Sequence, residues 1–228
     1  MAFTGYNFKN KEDIDPFLEE SNGITFAWCS EWAKKLNSYV FCGYPEKIME
    51  KETIVHRYNS LLCVDSKGSL IHSYRKHFLY EIDKRWAEEG EKFEVIDISI
   101  STKTYKIGLG ICMDINPYEF KDERYKLYEM ASEYHKQKVD IVLLSTNWTS
   151  SKPLDANSKM DTINYWVERL RPFHKYDKVA YFISADRIGK EETVQYSGSS
   201  CVVQFPSVKL LKCLDTEKEG VIFVELIF

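Results

Sequence analysis

Two apolar runs, Tyr105 to Ile111 and Val139 to Ser145, most constrain what this chain can fold into. Between them lies a helix-length stretch, about Asp122 to Lys138. Continuous apolarity implies strands covered on both faces, and strand, helix, strand in succession is a crossover that sets the two strands parallel. The expected fold class is therefore α/β. Parallel sheets bind ligands at the carboxyl ends of their strands. Here those ends are Cys112 and the corner Thr146-Asn147-Trp148.

The first end carries the chemistry. In Ile107-Gly108-Leu109-Gly110-Ile111-Cys112-Met113-Asp114-Ile115-Asn116-Pro117 the strand stops at a thiol and turns at Asn-Pro. The sulfur is left at the lip of the sheet, beside backbone N–H groups outside any ladder. That is the place of a nucleophile; the competing reading is a small buried hydrophobe at a strand end.

Composition excludes several classes of partner. With 228 residues, 44% of them hydrophobic and 14% aromatic, the chain can bury a full core as one domain, 1-228. The net charge of -4, with acids and bases interspersed, leaves no nucleic-acid footprint and no polybasic membrane anchor. A small or peptidic substrate is expected. Cysteines 29, 42, 63, 112, 201 and 213 form no C-x-x-C pair and read as reduced core residues of a cytosolic protein. The histidines show no ligand spacing, so neither metal nor cofactor is predicted. No stretch has membrane-spanning length, and the opening residues carry no targeting signal.

Periodicity places the other elements. Helices are predicted from Glu12 to Glu20 and from Ile24 to Leu36, then a short strand at Val40–Tyr44. A hairpin follows, Arg57 to Asp65 and Ser69 to Arg75, around Ser66-Lys67-Gly68. Residues 77 to 92 read as a long loop, Phe93 to Ile100 as a strand, and Ser151 to Lys159 as a loop over the site. Asn164 to Lys175 is a helix bent at Pro172. Strands close the chain at Val179–Ala185, Cys201–Phe205, Lys209–Leu214 and Val221–Ile227.

Gly-Ile-Cys-Met-Asp after an apolar strand, Tyr-Arg-Lys-His-Phe-Leu at 74–79 and Leu-Ser-Thr-Asn-Trp at 144–148 together resemble the carbon–nitrogen hydrolase (nitrilase) superfamily. The phrases Cys-Met-Asp-Ile-Asn-Pro-Tyr-Glu-Phe and Ser-Thr-Asn-Trp look most like its fungal-type branch, which deamidates N-terminal Asn and Gln of proteins. The resemblance implies a four-layer α-β-β-α sandwich. It makes Cys112 the nucleophile, Lys76 the cation that stabilises thiolate and oxyanion, and the Met113 N–H an oxyanion donor. A second active-site carboxylate falls in the loop after Lys76; Glu88 fits that place best, with Glu89 and Glu91 competing. Asn147, Trp148 and Tyr6 become pocket residues. Asp114, Glu119 and Asp155 are candidates for receiving a substrate α-amine. Asp186-Arg187-Ile188-Gly189 and Tyr196-Ser197-Gly198-Ser199-Ser200 match a turn pattern that begins with Asn in the family and with Asp here.

The resemblance also bears on the first residues. Met1-Ala2-Phe3-Thr4-Gly5-Tyr6 is close to a phrase that family members carry after a strand, a helix, a second strand and the general-base glutamate. That implies about 50 residues upstream, on the scale of a βαβ unit, so that the sandwich lacks its first strand-helix-strand and the 228-residue polypeptide alone is inactive or nearly so. The expected reaction is attack of Cys112 on an amide carbon, release of ammonia and hydrolysis of a thioester. N-terminal Asn or Gln peptides, or a small amide, are the expected substrates, and a homodimer is expected. Another amidase or carbamoylase of the superfamily, or a remnant that only binds ligand, are the competing readings.

Overall fold

The computed structural model describes all residues, Met1–Phe228, in two compact units, Met1–Lys92 and Phe93–Phe228. In the first unit, helix α1 (Lys11–Ile14) starts at Asn10, whose side chain accepts from the Asp13 N–H at 2.9 Å. It lasts one turn. Pro16 has no N–H to continue the ladder, and a 3-10 turn at Asp15–Phe17 replaces the helix expected as far as Glu20. Helix α2 (Ile24–Leu36) runs as the periodicity predicts and closes on Asn37 in the left-handed conformation.

Strands β1 (Val40–Glu50), β2 (Thr53–Val64) and β3 (Leu70–Arg75) form an antiparallel sheet in that order. Strand β1 is twice the expected length because Pro45 does not end it. As an edge strand it has a side on which no N–H is needed. The turn into β2 uses Lys51 and Glu52, both at positive φ, the twist that two-residue hairpins favour. Cys29 and Ala33 of α2 pack on Cys42, Tyr44, Leu62 and Val64 of the sheet. Beyond β3 the Lys76 N–H still donates to Asn59 O at 2.8 Å, which fixes where that side chain emerges.

The second unit contains strands β4 (Glu94–Ile100), β5 (Lys103–Ile111), β6 (Ile141–Thr146), β7 (Thr149–Ser150), β8 (Ala180–Asp186), β9 (Lys190–Glu191), β10 (Val194–Tyr196), β11 (Cys201–Phe205) and β12 (Lys209–Cys213). Six of them form one sheet in the order β12-β11-β8-β6-β5-β4, and β7-β10-β9 form a small second one. The strands β5, β6 and β8 are parallel, as the crossover reading requires. Helices α3 (Glu129–Lys136) and α4 (Ser158–Arg169) supply the crossovers, and Tyr134, Ile163 and Trp166 join Val142, Leu144 and Phe182 in the core.

Three further elements, all in the second unit, differ from the sequence reading. Helix α3 does not begin at Asp122: Tyr128 is left-handed (φ 49°), and Glu129 turns its carboxylate to the Tyr118 N–H at 3.0 Å and to Arg124. The segment before it is a series of 3-10 turns. Helix α4 begins at Ser158 rather than Asn164, because Asp155 receives the Asn157 and Ser158 N–H groups at 2.8 and 2.9 Å, and it ends at Arg169 before a 3-10 turn around Pro172. Val221–Ile227 keeps its alternation without a ladder. There the Tyr181 hydroxyl takes the place of a strand, accepting from Ile227 N at 2.9 Å and donating to Ile227 O at 2.6 Å.

Candidate active site

Strand β5 is buried over its last five residues and ends at Cys112, which is itself nearly buried and held at φ 45°. A left-handed non-glycine residue costs about 1–2 kcal/mol and persists only where its surroundings impose it. What imposes it here is legible. The Asp114 carboxylate, fully buried, accepts from the Ile111 N–H at 2.8 Å and folds the chain sharply into a 3-10 turn, Cys112–Ile115. Asp114 therefore shapes the turn. Helix α4 grips the other side. Tyr165 donates to Asn116 Oδ1 at 2.5 Å, and Arg169, one turn on, donates to Ile115 O at 3.0 Å and Tyr125 O at 2.6 Å. The guanidinium is fully buried and lies 4.8 and 5.0 Å from the Tyr125 and Tyr128 rings.

The second strand end, Asn147-Trp148, is half-buried. Trp148 has its N–H on Asp186 Oδ1 at 2.9 Å, its carbonyl on Ser197 N at 2.8 Å and its ring against Tyr165 and Trp166 at 5.6 and 5.5 Å. The Asp186 carboxyl is buried with Oδ2 unpartnered, and burial pushes its pKa well above the ordinary 3.8. It stands where the family pattern has the neutral Asn, which is the chemistry that a raised pKa restores. Tyr196 sits within electrostatic reach of Cys112, fully buried; its hydroxyl donates to Glu191 Oε2 at 2.6 Å, as does Arg187 at 2.7 Å. Neither Tyr196 nor Glu191 was marked by the sequence as more than part of a turn.

In the first unit Lys76 is fully buried and its ammonium is paired with the equally buried Asp83. Asp83 accepts as well from Tyr6 Oη at 3.1 Å, Asn59 Nδ2 at 3.0 Å and the Tyr80 N–H at 3.0 Å. The Tyr6 ring lies 5.9 Å from the ammonium. The carboxylate that orients the lysine in this structure is thus Asp83, and the expectation of Glu88 is corrected. Glu88 is exposed and paired with His56 at 2.7 Å, and Glu89 and Glu91 are exposed too. Periodicity could not separate them, since the 3-10 turn Asp83–Arg85 alone turns Asp83 inward. Of the candidates for a substrate amine, Glu119 is paired with Lys121 at 2.9 Å and Asp155 caps α4. No cluster of three or more His, Cys, Asp or Glu side chains is placed to hold a metal ion, and no helix is long and apolar enough to cross a membrane.

The fold is mixed α/β, with Cys112 left-handed at the end of a parallel strand in the second unit and a buried lysine–carboxylate pair in the first. The chain belongs to the carbon–nitrogen hydrolase family, whose sequence pattern, described as Carbon-nitrogen hydrolase, matches residues 1–227. It is a hydrolase of amide carbon–nitrogen bonds. Among curated relatives it is 35% identical over 246 residues to Protein N-terminal amidase of Schizosaccharomyces pombe (strain 972 / ATCC 24843), covering 99% of this chain and 84% of that protein. It is 32% identical to Protein N-terminal amidase of Saccharomyces cerevisiae (strain ATCC 204508 / S288c), with 90% of this chain matching 44% of that one. Crystal structures of an N-terminal amidase, among them a complex with an Asn-Glu-Ala peptide, share the fold at TM-score 0.82 and 20% identity, over 93% of this chain and 84% of theirs.

Proposed function

We propose that this protein removes the side-chain amide of Asn or Gln at the N-terminus of a protein, leaving Asp or Glu and releasing ammonia. What carries the reading on the chain itself is Cys112, held left-handed at the carboxyl end of a buried parallel strand, and what supports the substrate is the 35% identity to an N-terminal amidase. The Cys112 thiolate attacks the amide carbon, and the Met113 N–H and the Lys76 ammonium receive the oxyanion. The thiol proton passes to a glutamate in the family's mechanism and from there to the leaving ammonia. Water then hydrolyses the thioester and regenerates the thiol.

Asp83 fixes the lysine side chain, and Tyr6 and Asn59 hold Asp83. Asn147 and Trp148 wall the side-chain pocket, with Asp114 keeping the nucleophile's turn closed. Tyr196 joins them beside the nucleophile, with Glu191 receiving its hydroxyl. We place the protein in the cytoplasm, as a homodimer acting on peptides with a free N-terminus.

The test is ammonia release by the native protein from Asn- and Gln-initiated peptides, the same peptides acetylated at the α-amine, and a simple aliphatic amide. Free Asn and Gln termini are expected to react at least 10-fold faster than the others. Equal turnover across the panel would replace this reading with that of a general amidase.

A further inference from the structure

Strands β11 and β12 are antiparallel neighbours at one edge of the large sheet, and their register sets Cys201 opposite Cys213. The Leu214 N–H donates to Ser200 O at 2.8 Å, so the backbone bond belongs to the adjoining pair. Cys201 and Cys213 therefore face each other in a non-hydrogen-bonded position, where Cα atoms are about 4.5 Å apart and side chains come closest. A disulfide spans Cα separations of about 4.4–6.8 Å, a range that includes this position.

The two thiols are unequal in a useful way. Cys201 is completely buried in the core, and its thiol is pushed up by burial first and then by Cys213. Cys213 packs against the same core from a partly exposed position, within electrostatic reach of the Lys159 ammonium. One sulfur can meet an oxidant and the other waits beside it. The remaining pair of neighbours, Cys29 and Cys42, pack in the core of the first unit, and both are buried.

We infer that Cys201 and Cys213 form a cross-strand redox site that hydroperoxides convert to a disulfide, apart from the catalytic cysteine. The Cys213 thiolate attacks a peroxide oxygen; the O–O bond breaks, the other oxygen leaves as hydroxide or alkoxide and takes a proton, and Cys213 becomes a sulfenic acid. The Cys201 sulfur then attacks the Cys213 sulfur. The S–S bond forms, the S–O bond breaks, and the hydroxyl leaves as water with the Cys201 proton. Two thiols and one hydroperoxide give one disulfide, one water and one alcohol or second water. The link anchors the edge strand beside Ser200, whose hydroxyl receives the Asp186 N–H at 2.9 Å.

The test uses the native protein in a Cys112→Ala background, which removes the competing nucleophile. After exposure to hydrogen peroxide, free thiols are alkylated and the protein is digested without reduction and weighed by mass spectrometry. Lys209 and Lys212 lie between the two cysteines, so trypsin separates them. A linked pair of peptides, two hydrogens lighter than their sum and resolved by dithiothreitol, is expected, and Cys213→Ser should abolish it. Cys213 carried on to sulfinic acid with Cys201 still a free thiol would overturn the inference. So would a Cys29–Cys42 link formed while Cys201 and Cys213 stay reduced.

Discussion

At the scale of single residues the account turns on Cys112 and Asp83. Cys112 is held at φ 45°, a conformation that costs any residue but glycine. Replacing Cys112 by Ala should abolish turnover and leave stability within about 1 kcal/mol, whereas Cys112→Gly, equally inactive, should be more stable than the Ala variant by about 1 kcal/mol, because glycine accepts φ 45°. Urea unfolding of the two variants reads the difference directly. Asp83→Ala leaves the buried Lys76 ammonium without its carboxylate and should cost about 3–5 kcal/mol, with loss of activity. The surface pair of Glu88 with His56 predicts the contrary for Glu88→Gln, a change of less than about 0.5 kcal/mol and activity kept. Cys112 at its strand end and Lys76 at its hairpin end were legible in the sequence as positions, with their expected roles supplied by the family resemblance. Asp83 was not, since a single 3-10 turn decides which of the loop's five acids points inward.

At the scale of elements, β5 and α3 pack closely beneath Cys112 through the absence of side chains. A Cβ at Gly108 would come within 2.6 Å of the Tyr134 ring, and one at Gly110 within 3.0 Å of Met130 Sδ. The Tyr134 hydroxyl donates to Leu109 O, so the ring cannot swing away without breaking a buried bond. Gly108→Ala should therefore destabilise by about 1–3 kcal/mol and lower kcat more than KM, as the strand end shifts; calorimetry and steady-state kinetics check both. The parallel core was readable from continuous apolar runs, and α2 from its period. What periodicity missed are ends set by side chains: Asp155 starting α4 early, Glu129 starting α3 late, and Tyr181 standing in for a strand beside Ile227.

At the scale of the whole molecule, stability should depend on pH through groups of opposite sign. Arg57 holds the Asp15 carboxyl below its ordinary 3.8, first by hydrogen bonding; its contribution is present above the unfolded value and is lost as pH falls through the folded one. Asp186 runs the other way. Its folded pKa is raised by burial, so between 3.8 and that value the folded state holds a proton that the unfolded state has lost, and stability falls as pH rises. Asp186→Asn should remove that fall, seen as a smaller difference between urea midpoints at about pH 5 and 7.5 than in the parent. The most direct of all is the intact mass of the native protein mixed with an Asn-initiated peptide and quenched in acid within a turnover. The account predicts an adduct on Cys112 equal to the peptide less ammonia. Ammonia released at full rate by Cys112→Ala, with no adduct on the parent protein, would contradict it.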